Sequence, residues 1–126
     1  MQKKSDLFVI TKTRDLLGYI LQITIKSPKA LRYTFTNKIH NYALECLSLL
    51  VEANEHFLSP QTISIRRSLQ DEATVKFKML GYLCFLGSEH GAILLKQYQQ
   101  ISLQISECLQ LLSAWKKSDT KVLKDN

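Results

Sequence analysis

Three histidines (His40, His56, His90) and three cysteines (Cys46, Cys84, Cys108) are the residues of this chain best suited to hold a soft metal, pass a proton or attack an electrophile. Their spacing serves none of these tasks. No two of the six stand at the ligand spacing of a zinc site. Carboxylate-bridged di-iron bundles need a Glu three residues before a His on two helices, and no His here has one. Glu52 and Glu55 form a lone pair of acids one turn apart, which reads as a solvated helix face. The glycines at 18, 81, 87 and 91 never make a phosphate-cradling loop. Cys46 as a nucleophile would need an adjacent His, and His40 lies nearly two helical turns away on another face. Some bundle ribonucleases set an Arg shortly before a His, but Arg32 stands too far ahead of His40. The expectation is a protein without catalytic residues, metal or cofactor.

Charge is the chemistry that remains. The net charge is +6, and residues 1–40 hold eight Lys/Arg against Asp6 and Asp15. Residues 41–126 carry nine of each sign, so the whole excess lies in the first third. Such asymmetry suggests a basic surface for an anionic partner, nucleic acid or an acidic protein face. Lys12, Lys26, Lys29, Arg32 and Lys38 are the candidate phosphate contacts, with Lys76 and Lys78 after them and Arg66 and Arg67 also on the third helix. Acting on phosphate, they would give little base specificity. Asn37, His40 and Asn41 flank Lys38 on the polar side of the same helix and suit contact with phosphate or an exposed base, but a solvated polar face is the favoured reading of them.

The elements that must carry these residues are helices. With 45% hydrophobic residues, only four glycines and two prolines, the chain favours a few long elements in one domain. Periodicity places helices at about 5–26, 29–58, 61–87 and 91–117, followed by a disordered polar tail over 118–126. Ser5 would cap the first with Asp6 in its opening turn, and Pro28 would open the second. Short connections then give an all-α, antiparallel up-down-up-down four-helix bundle over 1–117. The core rows would be Leu7, Ile10, Leu17 and Leu21; Phe35, Ile39, Tyr42, Cys46, Leu49, Leu50, Ala53 and Phe57; Leu69, Ala73, Phe77, Leu80 and Cys84; and Leu94, Tyr98, Ile101, Ile105, Cys108, Leu112 and Trp115. Arg14 falls within the first of these rows, and Arg67 with Asp71 makes an i,i+4 pair.

Two helices carry more apolar surface than a lone bundle needs. Val9, Leu16, Ile20 and Ile23 on the first, and Tyr33, Leu44, Leu47 and Val51 on the second, form extra stripes that would meet other copies of the chain. The cysteines lie among apolar residues without CxxC spacing, as buried free thiols in a reducing compartment do. The longest apolar run, from Met79 to Gly87, is far below the roughly 20 residues of a membrane span. No signal peptide is visible, so a cytoplasmic protein without a membrane partner is expected.

The segments Thr11–Leu16, Pro28–Phe35, Ile39–Asn54 and Leu94–Trp115 resemble the accessory variability determinant family of diversity-generating retroelements. That family belongs to a four-helix-bundle group that includes proteins encoded by intervening sequences in 23S rRNA genes. The resemblance spans about residues 7 to 117, with the Val51–Asn54 close of helix two and the leucine-rich helix ending in Trp115 as its better markers. It implies a basic, non-catalytic bundle that assembles as a ring-like pentamer and binds RNA and DNA. It also implies association with a reverse transcriptase, to support mutagenic cDNA synthesis. Family members carry more Arg and Lys along helix three than the Arg66, Arg67, Lys76 and Lys78 found here, which shifts weight to the first two helices. The alternatives are a bundle of the intervening-sequence type and an oligomeric scaffold that binds only protein.

Overall fold

The computed structural model describes residues 4–125, with side chains from residue 8 onward. Four α-helices share one apolar core: α1 (Lys4–Ile23), α2 (Asn37–Glu55), α3 (Ile63–Glu89) and α4 (Leu95–Asp125). No strand occurs among the described residues. On α3 and α4 the expected rows meet inside: Ala73, Phe77, Leu80 and Cys84 face Ile101, Ile105, Cys108, Leu112 and Trp115, all buried. On α2 Ile39, Cys46, Leu49, Leu50 and Ala53 are buried and Tyr42 half-buried, with Phe35 buried just ahead of the helix; Phe57 lies past the helix end and is 80% exposed. Leu94, just before α4, is also exposed. No described helix is long and apolar enough to cross a membrane.

The phase of α1 differs from its expected one. Val9, Leu16 and Ile20, assigned above to contacts between copies, are the core row and are 0%, 1% and 0% exposed. Thr13 and Thr24 complete this row and conceal it in the sequence. Each is buried with its hydroxyl donating to the carbonyl one turn back, Thr13 to Val9 and Thr24 to Ile20, both at 2.7 Å. A satisfied threonine behaves as a small apolar residue inside a helix bundle. The rival row splits: Leu17 is buried, Ile10 half-buried, and Leu21 exposed. Arg14, which the rival row would bury, faces solvent. The side chains of Ser5, Asp6 and Leu7 lie outside the described residues.

The entry to α2 is irregular where one continuous helix was expected. After Pro28 comes a 3₁₀ turn (Lys29–Leu31), then a π turn (Arg32–Thr36), and only at Asn37 the α-helix. Arg32, Tyr33 and Thr34 all point to solvent, and Phe35 and Thr36 both point inward. At the same end of the molecule the Ser27 hydroxyl donates to the Ala92 carbonyl (2.7 Å), tying the α1–α2 corner to the α3–α4 corner. That second corner turns on Gly91, whose φ of 86° lies in the left-handed region open to glycine.

At its far end α4 does not stop at Lys117. It continues through the segment expected to be a disordered tail, because Asp119 is buried against α3.

Candidate nucleic-acid interface

The cations of the first third are gathered by the α1–α2 corner. Lys26 lies in the 3₁₀ turn that ends α1, Lys29 in the turn after Pro28, Arg32 in the π turn and Lys38 in the first turn of α2. All four are exposed, and none forms an ion pair among the described residues. Lys26 also edges a groove of 630 Å³ formed with Ile25, Pro28, Gly91 and Leu94. Lys12 stands apart on the body of α1, where its ammonium lies 3.6 Å from Glu107.

Behind the corner, His40 is held by Thr24, with Nε2 2.7 Å from the hydroxyl. Because that hydroxyl donates to Ile20, Nε2 carries the proton and donates to it. Burial holds the His40 pKa below its usual value, so the ring is a neutral support rather than a cation at the surface. Lys38 shares a small polar pocket with Asn41, Tyr42, Glu45 and Lys76. Lys76 is committed to its own chain there, 2.9 Å from Glu45 and 5.2 Å from the centre of the Tyr42 ring. The hydrogen bond it donates to the Glu45 carboxylate raises its pKa. Lys78 is exposed on α3, two residues on and so on the other side of the helix from Lys76.

Arg66 is not a surface cation. It is 5% exposed, and its guanidinium forms a forked pair with Asp119, Nε to Oδ2 at 2.7 Å and Nη2 to Oδ1 at 3.1 Å. Nη1 donates to the His56 carbonyl (2.9 Å), and the group lies 5.0 Å from the Trp115 ring centre. Gln70 completes the cluster by donating to Asp119 (3.0 Å). The expected contact of Arg66 with a ligand therefore fails, since a buried guanidinium with its fork occupied cannot reach phosphate. Arg67 does not pair with Asp71 either. It donates to the Lys116 carbonyl (2.8 Å), the Thr120 hydroxyl (2.9 Å) and Gln70 (3.2 Å), while Asp71 takes Lys116 at 2.8 Å.

A signal for the buried pair is present in the sequence. Arg66 and Gln70 extend the α3 row Ala73, Phe77, Leu80 by whole turns, and Asp119 extends the α4 row Cys108, Leu112, Trp115 in the same way. Opposite charges in phase with two facing apolar rows point to a partnership between those rows.

Extending α4 also assembles cations beyond the candidates of the first two helices. Lys117, Lys121 and Lys124 recur at helical spacing and are exposed, and with Arg67 and Lys116 they edge a groove of 510 Å³. A helix of 31 residues is about 45 Å long, so this groove lies far from the Lys26–Arg32 corner. The structure thus separates the candidate cations into two clusters at opposite ends of α4, with Lys12, Lys76 and Lys78 between them.

No group of three or more His, Cys, Asp or Glu is placed to hold a metal ion among the described residues. Burial pushes the thiols of Cys46 and Cys84 up to about 12 and that of Cys108 up to about 11. Cys46 is raised further by the neighbouring Cys108. Neutral, buried thiols are poor nucleophiles. No family model and no curated protein matches the chain.

Proposed function

We propose that this protein is a non-catalytic, basic nucleic-acid-binding accessory of a reverse transcriptase, of the accessory variability determinant type found in diversity-generating retroelements. The observation that carries the reading is the corner of Lys26, Lys29, Arg32 and Lys38, four exposed cations that form no ion pair among the described residues. Four other cations do have an acid partner, at Lys12–Glu107, Lys76–Glu45, Lys116–Asp71 and Arg66–Asp119, while Lys117, Lys121 and Lys124 form a second exposed cluster at the far end of α4. A corner left uncompensated in this way attracts polyanions through counterion release, and its grip weakens steeply with salt.

In this reading the helices run antiparallel, up-down-up-down. Partner positions support it, since residue numbers climb on one helix as they fall on the next. Lys12 meets Glu107 and Ser27 meets Ala92; Glu45 meets Lys76 and Phe35 stacks on His90. Copies assemble as a ring-like pentamer through the exposed face of α2, where Leu44 and Val51 are 50% and 41% exposed beside the half-buried Leu47, with the half-buried Ile23 of α1 joining them. A ring repeats the +6 chain and presents its basic corners together. The transcriptase performs the chemistry, and the ring supports copying of a template repeat into cDNA in the cytoplasm.

Binding of labelled RNA across a salt series tests the reading. Lys29→Glu combined with Arg32→Glu should weaken binding and lower the salt slope by about 1 for each cation lost. Unchanged affinity would remove the corner as the interface. Co-purification with a reverse transcriptase encoded beside the gene tests the partner. Assembly without any RNA binding would favour the scaffold reading instead, which the exposed Leu44 and Val51 would equally serve.

A further inference from the structure

The α3–α4 face holds a second kind of surface. Lys78, Gly81, Tyr82 and Phe85 follow one another at helical spacing on α3, and Tyr98 of α4 joins them around a groove of 360 Å³. That volume falls within the roughly 300–1,000 Å³ of small-ligand sites. Phe85 and Tyr98 form its wall, with ring centres 5.2 Å apart and planes tilted by 57°. Tyr82 stands at the rim, 73% exposed. Lys78 is exposed, and no described acid pairs with it. No carboxylate lines the groove.

Gly81 is its floor and has no reason to be glycine within the chain. Its φ is not positive, and a Cβ built there would meet only Ile105 Cδ1, at 3.8 Å, an ordinary contact. Alanine in a helix interior would be more stable than glycine. The chain therefore keeps a small residue where its own packing would admit a larger one, and the space above it stays open between aromatic rings.

We propose that this groove is a base-stacking site for single-stranded nucleic acid. An unstacked base lies against the Tyr82, Phe85 and Tyr98 rings over Gly81, and Lys78 contacts the adjoining phosphate. The inference rests on the nucleic-acid reading above and adds a substrate class to it. Only a strand with unpaired bases can offer a free π face, whereas duplex hides its bases in the stack. The cation beside the rings, with no acid in the groove, matches an aromatic ligand that carries negative charge. The basic corner would hold duplex and single strand alike, and this groove would tell them apart.

The test is fluorescence anisotropy of the full-length protein with a labelled oligouridine and with a labelled duplex of equal length, at fixed salt. Tyr82→Ala should weaken oligouridine binding about 5- to 150-fold, the range of one lost base stack, and leave duplex binding unchanged. Tyr82→Phe should bind like the parent. Gly81→Leu, a good helix former that fills the floor, should reproduce the loss while keeping the helical signal. The proposal is overturned if both Tyr82→Ala and Gly81→Leu bind oligouridine as the parent does, or if duplex binding falls equally. It is also overturned if Tyr82→Ala changes only the assembled mass in light scattering, which would make the groove a contact between copies. A parent protein that binds neither probe would instead sink the nucleic-acid reading itself.

Discussion

Cys46, Cys84 and Cys108 are kept neutral by burial, and two consequences follow at the level of single residues. Native protein at mildly alkaline pH should leave all three thiols unreacted with a disulfide reagent, and denaturant should release all three together. A native thiol that reacts at the rate of free cysteine would contradict the burial. Their folded pKa values lie above the unfolded value of 9.0, so the stability they contribute is present below that pH and is lost as pH rises toward about 12. His40 works in the opposite direction. Its folded pKa is depressed by burial, so the unfolded chain takes up the proton first and stability falls as pH drops below 6.5. His40→Gln should flatten the fall in melting temperature across that window; an unaltered slope would show that another group governs it.

Asp119 decides the length of an element. Nothing in SDTKVLKDN promotes a helix strongly, yet α4 runs to Asp125 because one carboxylate is gripped by Arg66 and Gln70 beneath Trp115. Removing one member of a buried ion pair leaves the other charged and unpaired, which costs about 3–5 kcal/mol. Asp119→Ala should destabilise the protein by that amount in a denaturant melt. The paired change Arg66→Met with Asp119→Leu should restore most of it, since no orphan charge remains. If Asp119→Ala leaves the midpoint unchanged, the pair does not anchor the last turns. α1 carries a parallel lesson about phase: two threonines with their hydroxyls turned back on the helix sit in its core row, and a reading of apolar spacing alone slips to the adjacent row.

Assembly and charge are separable properties of this molecule. Replacing both Leu44 and Val51 with Asp should reduce the mass seen by light scattering to that of one chain, with helical content kept, because both are half-exposed and contribute little to the core. A parent protein already monomeric would remove the ring. If the ring exists, the same change should weaken nucleic-acid binding more than the two negative charges added to each copy predict, since the basic corners would no longer act together. Binding that follows net charge alone would indicate that assembly adds nothing.

Much of the fold was legible in the order of residue types. The helical content, the break at Pro28 and the rows on α3 and α4 follow from local spacing, which depends only on neighbours a turn apart, and the concentration of charge before residue 41 is read directly from the sequence. Three matters were settled by packing between distant segments. Facing helices chose which of two rows on α1 became the core. The row from α4 that meets α3 turned Arg66 from a candidate ligand contact into a buried partner of Asp119, and drew residues 118–125 into a helix. The groove over Gly81 exists only because Tyr98 is brought beside Phe85 from another helix. Periodicity shows that a side chain shares a face; only the tertiary contact determines what that face meets.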